Sequence, residues 1–373
     1  MKIGYEAKRA FLNTTGLGNY SRGVIRMMAL DYPDNEYLLY TPKKRRNGLN
    51  FLEGLNNVKT ISPKSKFFTS LWRSKGVIVD LKRDGVEVYH GLSHELPMGI
   101  HTTGIKSVVT VHDLIFVRFP QYFGFVSRKI YGAKVGYACK HADAIVAVSG
   151  KTKADLVELL GVDAGKIQVI YQGCDDSFKA RQSLKRKTEV KDKYHLPDNY
   201  ILNVGTIEPR KNLLVLVKAL KQLPDVKLVV IGKQSPYIKQ IRRYIIANQF
   251  EKRVIFLSNV RFDELPAIYQ LASVFVYPSR YEGFGIPVLE ALVSGTPVVA
   301  ATGSCLEEAG GPDSLYVDPD DEKGFADKIA LVLNDTALSQ QMVEKGMQYA
   351  GKFEEKKLAA QMMGVYKNIL TNA

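Results

Sequence analysis

Residues 274–295, Val-Phe-Val-Tyr-Pro-Ser-Arg-Tyr-Glu-Gly-Phe-Gly-Ile-Pro-Val-Leu-Glu-Ala-Leu-Val-Ser-Gly, decide the fold. The run begins as a short apolar, β-branched and aromatic stretch, the pattern of a buried strand. Gly283 and Gly285 then form a loop, and Pro287 suits the first turn of a helix, where its missing N–H costs nothing. Gly295 is a natural helix stop. A strand, a glycine loop and a helix start together present free backbone N–H groups and a positive dipole end, an anion site fit for a diphosphate. Glu282 stands at the mouth of the loop and Glu290 one turn into the helix. The two carboxylates are spaced to accept hydroxyls from different parts of one extended ligand. A lone Gly-x-Gly is equally compatible with a surface loop and one helix-dipole glutamate.

Outward from this stretch, short apolar runs alternate with segments of helical length, the signature of parallel α/β sheets. Strands are expected at 2–6, 37–40, 58–61, 86–89, 107–111, 144–148 and 167–171, and again at 200–204, 227–231, 254–257, 274–277, 296–300 and 315–317. Between the two sets, residues 175–199 are polar and read as a linker entering a surface helix. The expected organisation is an N-terminal domain, 1–180, a C-terminal domain, 181–355, and a last helix, 356–373, packing back on the first. Two doubly wound domains place ligands at the carboxyl ends of their strands.

Glu282-Gly-Phe-Gly-Ile-Pro-Val-Leu-Glu290 resembles the Glu-x7-Glu signature of the family-four group of retaining glycosyltransferases. Thr15-Gly-Leu-Gly-Asn-Tyr-Ser-Arg, Val111-His-Asp-Leu, Val148-Ser-x3-Lys, Asn203-Val-Gly-Thr-Ile-Glu-Pro-Arg-Lys-Asn and Gly295-Thr-Pro-Val-Val-Ala follow in the group's order. His112-Asp-Leu…Phe119-Pro-Gln-Tyr and Ser314-Leu-Tyr-Val-Asp-Pro resemble the bacterial mannosyltransferases that build cell-surface polysaccharide. The resemblance implies a GT-B fold, two Rossmann-like domains facing across a cleft. It implies that Glu290 binds the nucleotide ribose, that Glu282 binds a donor-sugar hydroxyl, and that backbone N–H groups around Phe284, Gly285 and Ile286 meet the sugar or diphosphate. Arg210 and Lys211 would clamp the diphosphate, a role their chemistry also suits. Gly205 lies just ahead of them. Gly16 and Gly18 form a glycine loop before an amphipathic helix, a weak signal alone; with the resemblance, this loop approaches the donor or the acceptor. His112, at the end of a strand, would hydrogen-bond the donor sugar or acceptor, while Asp113 orients neighbours or caps the next turn.

Composition sets the outer limits. The chain has 373 residues, 46% of them hydrophobic, enough for two packed cores. No apolar run approaches a membrane span, and the N-terminus lacks the apolar core of a signal peptide, so a cytoplasmic protein is expected. Cys139, Cys174 and Cys305 lack CxxC spacing, which argues against disulfides and zinc. Asp318-Pro-Asp-Asp reads as a turn and helix cap and no His/Cys cluster has ligand spacing, so no metal and no cofactor are expected beyond the nucleotide-sugar donor as substrate, and the Arg and Lys stand in for a cation. Residues 1–180 hold 26 lysines and arginines against 16 acids, so ten of the fourteen excess positive charges lie there. No nucleic-acid signature accompanies them. A glycan or lipid-linked acceptor, and peripheral contact with an anionic membrane at its inner face, are the partners this charge suits. Residues 64–82 interleave Phe67, Phe68, Leu71 and Trp72 with Lys64, Lys66, Arg73 and Lys75, near Lys43-Lys-Arg-Arg. That pattern fits either an interfacial membrane helix or a helix packed on the sheet with its cations snorkelling to solvent.

The expected reaction moves a hexose, mannose from GDP-mannose by resemblance, to an acceptor hydroxyl with retention. No carboxylate nucleophile is evident, so the resemblance favours front-face attack, the leaving phosphate taking the acceptor proton. Donors such as UDP-glucose, UDP-N-acetylglucosamine and UDP-galactose stay open, as does a sugar-nucleotide epimerase. A non-catalytic nucleotide-sugar-binding or lipid-binding module is a reading of another class.

Overall fold

A computed structural model describes residues 1–43, 50–64 and 68–371. Lys44, Arg45, Arg46, Lys66 and Phe67 of the basic and aromatic runs lie outside the described residues. The chain divides into two compact units, Met1–Gly173 with Phe353–Ala373, and Cys174–Lys352.

The first unit holds a seven-stranded parallel sheet: β1 Lys2–Glu6, β2 Glu36–Tyr40, β3 Val58–Ile61, β4 Val88–Gly91, β5 Lys106–Val111, β6 Ala144–Ala147 and β7 Ile167–Val169. Their spatial order is 3-2-1-4-5-6-7. The second unit holds six parallel strands: β8 Tyr200–Val204, β9 Lys227–Ile231, β10 Val254–Leu257, β11 Val274–Tyr277, β12 Val298–Ala301 and β13 Leu315–Val317, in the order 10-9-8-11-12-13. Each order reverses beside its own first strand, the doubly wound Rossmann arrangement. The reversals lie between β1 and β4 and between β8 and β11, and there the loops leaving the carboxyl ends diverge and open a crevice.

Continuous apolar strands such as Val274–Tyr277 and Val298–Ala301 are buried along their whole length, because helices cover both faces of a parallel sheet. The helix Glu355–Thr371 belongs to the first unit through a buried polar network. Tyr366 meets His90 Nδ1 at 2.7 Å and Tyr5 at 3.2 Å, and His90 Nε2 meets Thr110 at 2.8 Å. Burial, and then His112, press the His90 pKa down to about 3, so this histidine is a neutral structural linker.

The units part at 173/174, where the sequence reading sets 180/181. Phe178 is fully buried, edge-on to Tyr269 and Phe262 at 5.5 and 5.7 Å, and this anchors the segment after Gly173 in the second unit. The helix expected after a glycine loop begins at Gly16 itself, spanning Gly16–Asp31. A Cβ on Gly18 would lie 1.9 Å from the Asn13 carbonyl oxygen, so close packing of the helix on the preceding turn demands this glycine. Gly16 has open space around it.

The basic and aromatic stretch 64–82 divides. Trp72 packs against the core and its indole N–H donates to Asp80 at 2.7 Å, while Val77 and Leu81 are buried. Phe68 and Leu71 are exposed. Among the described residues no helix is long and apolar enough to cross a membrane.

Candidate functional site

At the reversal of the second sheet, β8 and β11 end side by side, tied by the Asn203 amide, which donates to the Val276 carbonyl at 2.8 Å. The loop after β8 carries Gly205, Arg210 and Lys211, and the loop after β11 carries Ser279 and Glu282. The Arg280 N–H donates to the Arg210 carbonyl at 2.9 Å and locks the two loops together.

Glu282 is the hub. Its Oε1 accepts from Lys211 Nζ and Ser279 Oγ, each at 2.5 Å, lies 2.9 Å from Arg210 Nη1, and is 3.3 Å from the Tyr277 hydroxyl. All of these bonds fall on one oxygen. Burial raises the Glu282 pKa, but Lys211 and Arg210 outweigh it and hold the carboxyl down at about 2. For Arg210, burial opposes the charge, yet Glu282 and Glu208 keep the guanidinium above its usual value. Burial lowers the Lys211 pKa against the pull of Glu282. Lys211 also donates to the Tyr277 hydroxyl at 2.6 Å. Two of its three protons are thereby engaged by described residues. The result is a rigid pair of cations at a strand-end crevice with a fixed carboxylate between them, suited to a diphosphate beside a hydroxyl-bearing group.

The glycine loop is shaped by packing. Gly285 adopts φ 113°, and a Cβ there would meet Leu306 Cδ2 at 2.8 Å, so only glycine fits. The helix Ile286–Val293 follows, with Pro287 in its first turn and the buried Phe284 beneath the loop. Glu290 lies on this helix and accepts from the Tyr269 hydroxyl at 2.9 Å. Burial raises its pKa to about 7, although the Tyr269 bond opposes the rise. Glu290 has its own partner and makes no bond to the Glu282 cluster.

Sequence reasoning missed four supporting groups. Ser279 and Tyr277 hold Glu282, Tyr269 holds Glu290, and the buried Cys305 thiol lies 3.1 and 3.0 Å from the Glu282 and Phe284 carbonyls, which share its one proton. Ser279 and Tyr277 stand in the decisive stretch itself; nothing local marks Tyr269 or Cys305.

In the first unit, His112 follows β5 and is buried. Its Nε2 lies 2.9 Å from the Leu92 carbonyl, so Nε2 carries the proton and Nδ1 the lone pair. Burial, and then His94, lower its pKa to about 3, so the ring is neutral. Tyr20 packs edge-on at 4.6 Å. Ser149 caps the helix Gly150–Leu160, and Thr152 there donates to the His112 carbonyl at 3.2 Å. Asp113 caps the next turn by accepting from the Ile115 N–H at 3.1 Å. Among the described residues no group of three or more His, Cys, Asp or Glu is placed to hold a metal ion.

Comparison with known proteins bears on the family and the fold. The family of glycosyl transferases group 1 matches residues 185–349, and Glycosyltransferase Family 4 matches residues 39–178. The chain is 25% identical to the O-antigen chain mannosyltransferase B of Escherichia coli, across 98% of this chain and 100% of that one. It is 27% identical to the O-antigen chain mannosyltransferase RfbU of Salmonella typhimurium, across 75% of this chain and 74% of that one. It shares its fold with Anabaena HepE, solved in complex with UDP and glucose, at a TM-score of 0.75 and 19% identity, over 98% of this chain and 99% of that chain.

Proposed function

This chain belongs to the GT-B glycosyltransferases of group 1 and family 4, and from that premise we propose that it transfers mannose from GDP-mannose to a hydroxyl of a glycan or lipid-linked acceptor in cell-surface polysaccharide synthesis. The observation that carries the proposal is the Arg210–Lys211–Glu282 cluster at the reversal of the second sheet. The choice of mannose rests on the names of the relatives.

In this reading Arg210 and Lys211 neutralise the departing diphosphate and so replace a divalent cation. Lys211 offers its remaining proton, and the N–H groups at the start of the helix Ile286–Val293 add their dipole. Glu282, held as an anion, accepts a donor-sugar hydroxyl on Oε2. Glu290 accepts the ribose hydroxyls. His112, neutral with its lone pair on Nδ1, accepts a hydroxyl of the sugar or acceptor. Neither carboxylate of this site stands ready as a nucleophile: Glu282 is bound to two cations, and Glu290 to Tyr269. This supports retention by front-face attack, the acceptor proton passing to the leaving phosphate.

The test is transfer from GDP-mannose, and from UDP-glucose, UDP-galactose and UDP-N-acetylglucosamine, with and without a chelator. The expected result is turnover and thermal stabilisation with GDP-mannose, insensitive to chelation, giving an α-linked product by NMR. Stabilisation by UDP sugars alone overturns the donor assignment. Loss of turnover on chelation overturns the metal-free clamp, and an inverted product overturns retention.

A further inference from the structure

Gly18 and Arg22 fasten the start of the helix Gly16–Asp31 to the segment that follows β1. Arg22 Nη1 donates to the Ala10 and Asn13 carbonyls at 2.9 and 2.8 Å, and the bare Gly18 lets the helix close on the same Asn13 carbonyl. Tyr20, between these two anchors, is 8% exposed. Its ring stands edge-on to His112, with 4.6 Å between centroids and 88° between planes, and its hydroxyl lies 3.0 Å from Thr110 Oγ1. Thr110 and His112 are two residues apart at the end of β5, so both side chains project from the same face of the strand. One tyrosine therefore touches the His112 ring and is bonded to the residue beside it.

The bond to Thr110 is the first link of a buried chain. Thr110 Oγ1 meets His90 Nε2 at 2.8 Å, His90 Nδ1 meets the Tyr366 hydroxyl at 2.7 Å, and Tyr366 donates to the Tyr5 hydroxyl at 3.2 Å. Thr110, His90, Tyr366 and Tyr5 are fully buried, so none can exchange its partner for water. Each hydroxyl has one proton and the neutral His90 ring has one, which fixes the direction. Tyr366 gives its proton to Tyr5 and so accepts from His90 Nδ1–H. His90 Nε2 then accepts from Thr110, and Thr110 accepts from Tyr20. The protons run one way, from the glycine-loop helix to the C-terminal helix and β1. Reversing any single link would set two protons or two lone pairs face to face, so the chain holds as a unit.

His112 has other restraints. Its N–H goes to His94, its carbonyl accepts from Thr152 and its Nε2–H goes to Leu92. A single bond at Nε2 fixes a point of the ring but not its plane, and the edge-on Tyr20 ring fixes the plane. We infer that Tyr20 and Thr110 are positioning residues: the hydrogen-bonded chain holds the Tyr20 ring, and that ring sets the direction of the His112 Nδ1 lone pair. The inference rests on the reading above, in which Nδ1 accepts a substrate hydroxyl. A hydrogen bond weakens steeply as its angle closes, so a tilted His112 costs turnover and leaves the nucleotide contacts of the second unit alone.

The test pairs near-isosteric substitutions in the whole chain. Thr110→Val keeps the β-branched shape and breaks two links, whereas Thr110→Ser keeps the hydroxyl. Transfer kcat is expected to fall about threefold to tenfold in Thr110→Val, the scale of one hydrogen bond, and to stay within about twofold of wild type in Thr110→Ser. GDP affinity by calorimetry is expected to stay within about twofold in both. If Thr110→Val fails to fold, Tyr20→Phe, which keeps the ring and loses the first link, takes its place with the same expectations. Nitrogen NMR spectra of the chain carrying isotope-labelled histidine read the ring directly and need no donor. The His112 ring signals are expected to shift in Thr110→Val and in Tyr366→Phe, on the C-terminal helix, while those of His101, His141 and His195 stay in place. Wild-type turnover in Thr110→Val, an equal loss in Thr110→Ser, a matching loss of GDP affinity, or His112 signals unmoved in both Thr110→Val and Tyr366→Phe overturns the proposal. If the wild type transfers no sugar, the glycosyltransferase reading fails and the histidine spectra alone decide this one.

Discussion

Both sheets place a buried glutamate at the point where their strand order reverses, and each glutamate faces a serine hydroxyl and an arginine. In the second unit Glu282 lies 2.9 Å from Arg210, with Lys211 and Ser279 at 2.5 Å, and its pKa falls to about 2. In the first unit Glu6 lies 3.8 Å from Arg73 and 3.4 Å from Ser93, and its pKa rises. The same topology therefore yields opposite electrostatics, because close cations overcome desolvation in one place and a distant one does not in the other. The tight cluster is a fixed charge array suited to a diphosphate.

The comparison breaks first at the cations. Arg210→Ala and Lys211→Ala should each lower turnover by about 10²–10³-fold, the scale for losing one preorganised charge-stabilising donor. Either remaining cation keeps Glu282 paired, so melting should shift only a few degrees; near-normal turnover in both variants would remove the clamp. Stability separates the two glutamates next. Glu282→Gln leaves Arg210 and Lys211 as close like charges and should cost about 3 kcal/mol in urea unfolding at pH 7. Glu6→Gln removes a poorly held carboxyl and should cost under about 1 kcal/mol. Equal losses would erase the distinction.

Acid titration sharpens the same contrast. The folded pKa of Glu282 is depressed, so its contribution is present above the unfolded value near 4.5 and is lost as pH falls toward about 2. The gap in stability between wild type and Glu282→Gln should close over that range. Glu6 has the opposite sign: its penalty is absent below the unfolded value and grows as pH rises above it. The smallest effect concerns Glu290, whose pKa is about 7. Ribose hydroxyls favour its ionised form, so GDP binding should release protons near neutrality and tighten as pH rises through 7. Calorimetry in two buffers of different ionisation enthalpy measures that release, and none in the wild type argues against the ribose contact.

Much of the architecture was legible because buried parallel strands are written as unbroken apolar runs; Tyr200–Val204, Lys227–Ile231 and Val254–Leu257 fall where periodicity sets them. The strand expected at 86–89 runs instead over Val88–Gly91, because His90 looks like a polar terminator until Tyr366 and Thr110 satisfy its ring inside the core. The strand expected from 296 starts at Val298, since Pro297 lacks an N–H and the Thr296 hydroxyl donates to Tyr269 at 2.7 Å. At the site, the loop residues around Glu282 were readable from glycine spacing and charge type. The partners Tyr269 and Cys305 were not, as each comes from a separate element.

By itself the sequence determined the parallel sheets, the strand–glycine-loop–helix unit and the residue types that favour a diphosphate, because periodicity, glycine and proline placement and side-chain chemistry are local properties. Only the tertiary structure decided which charges meet. It set Arg210 and Lys211 against Glu282, left Glu6 at arm's length from Arg73, and turned Arg73 from a membrane candidate into a neighbour of two buried-edge carboxylates. Distances and burial set the protonation of these groups, and both arise only when strands far apart in the chain end side by side.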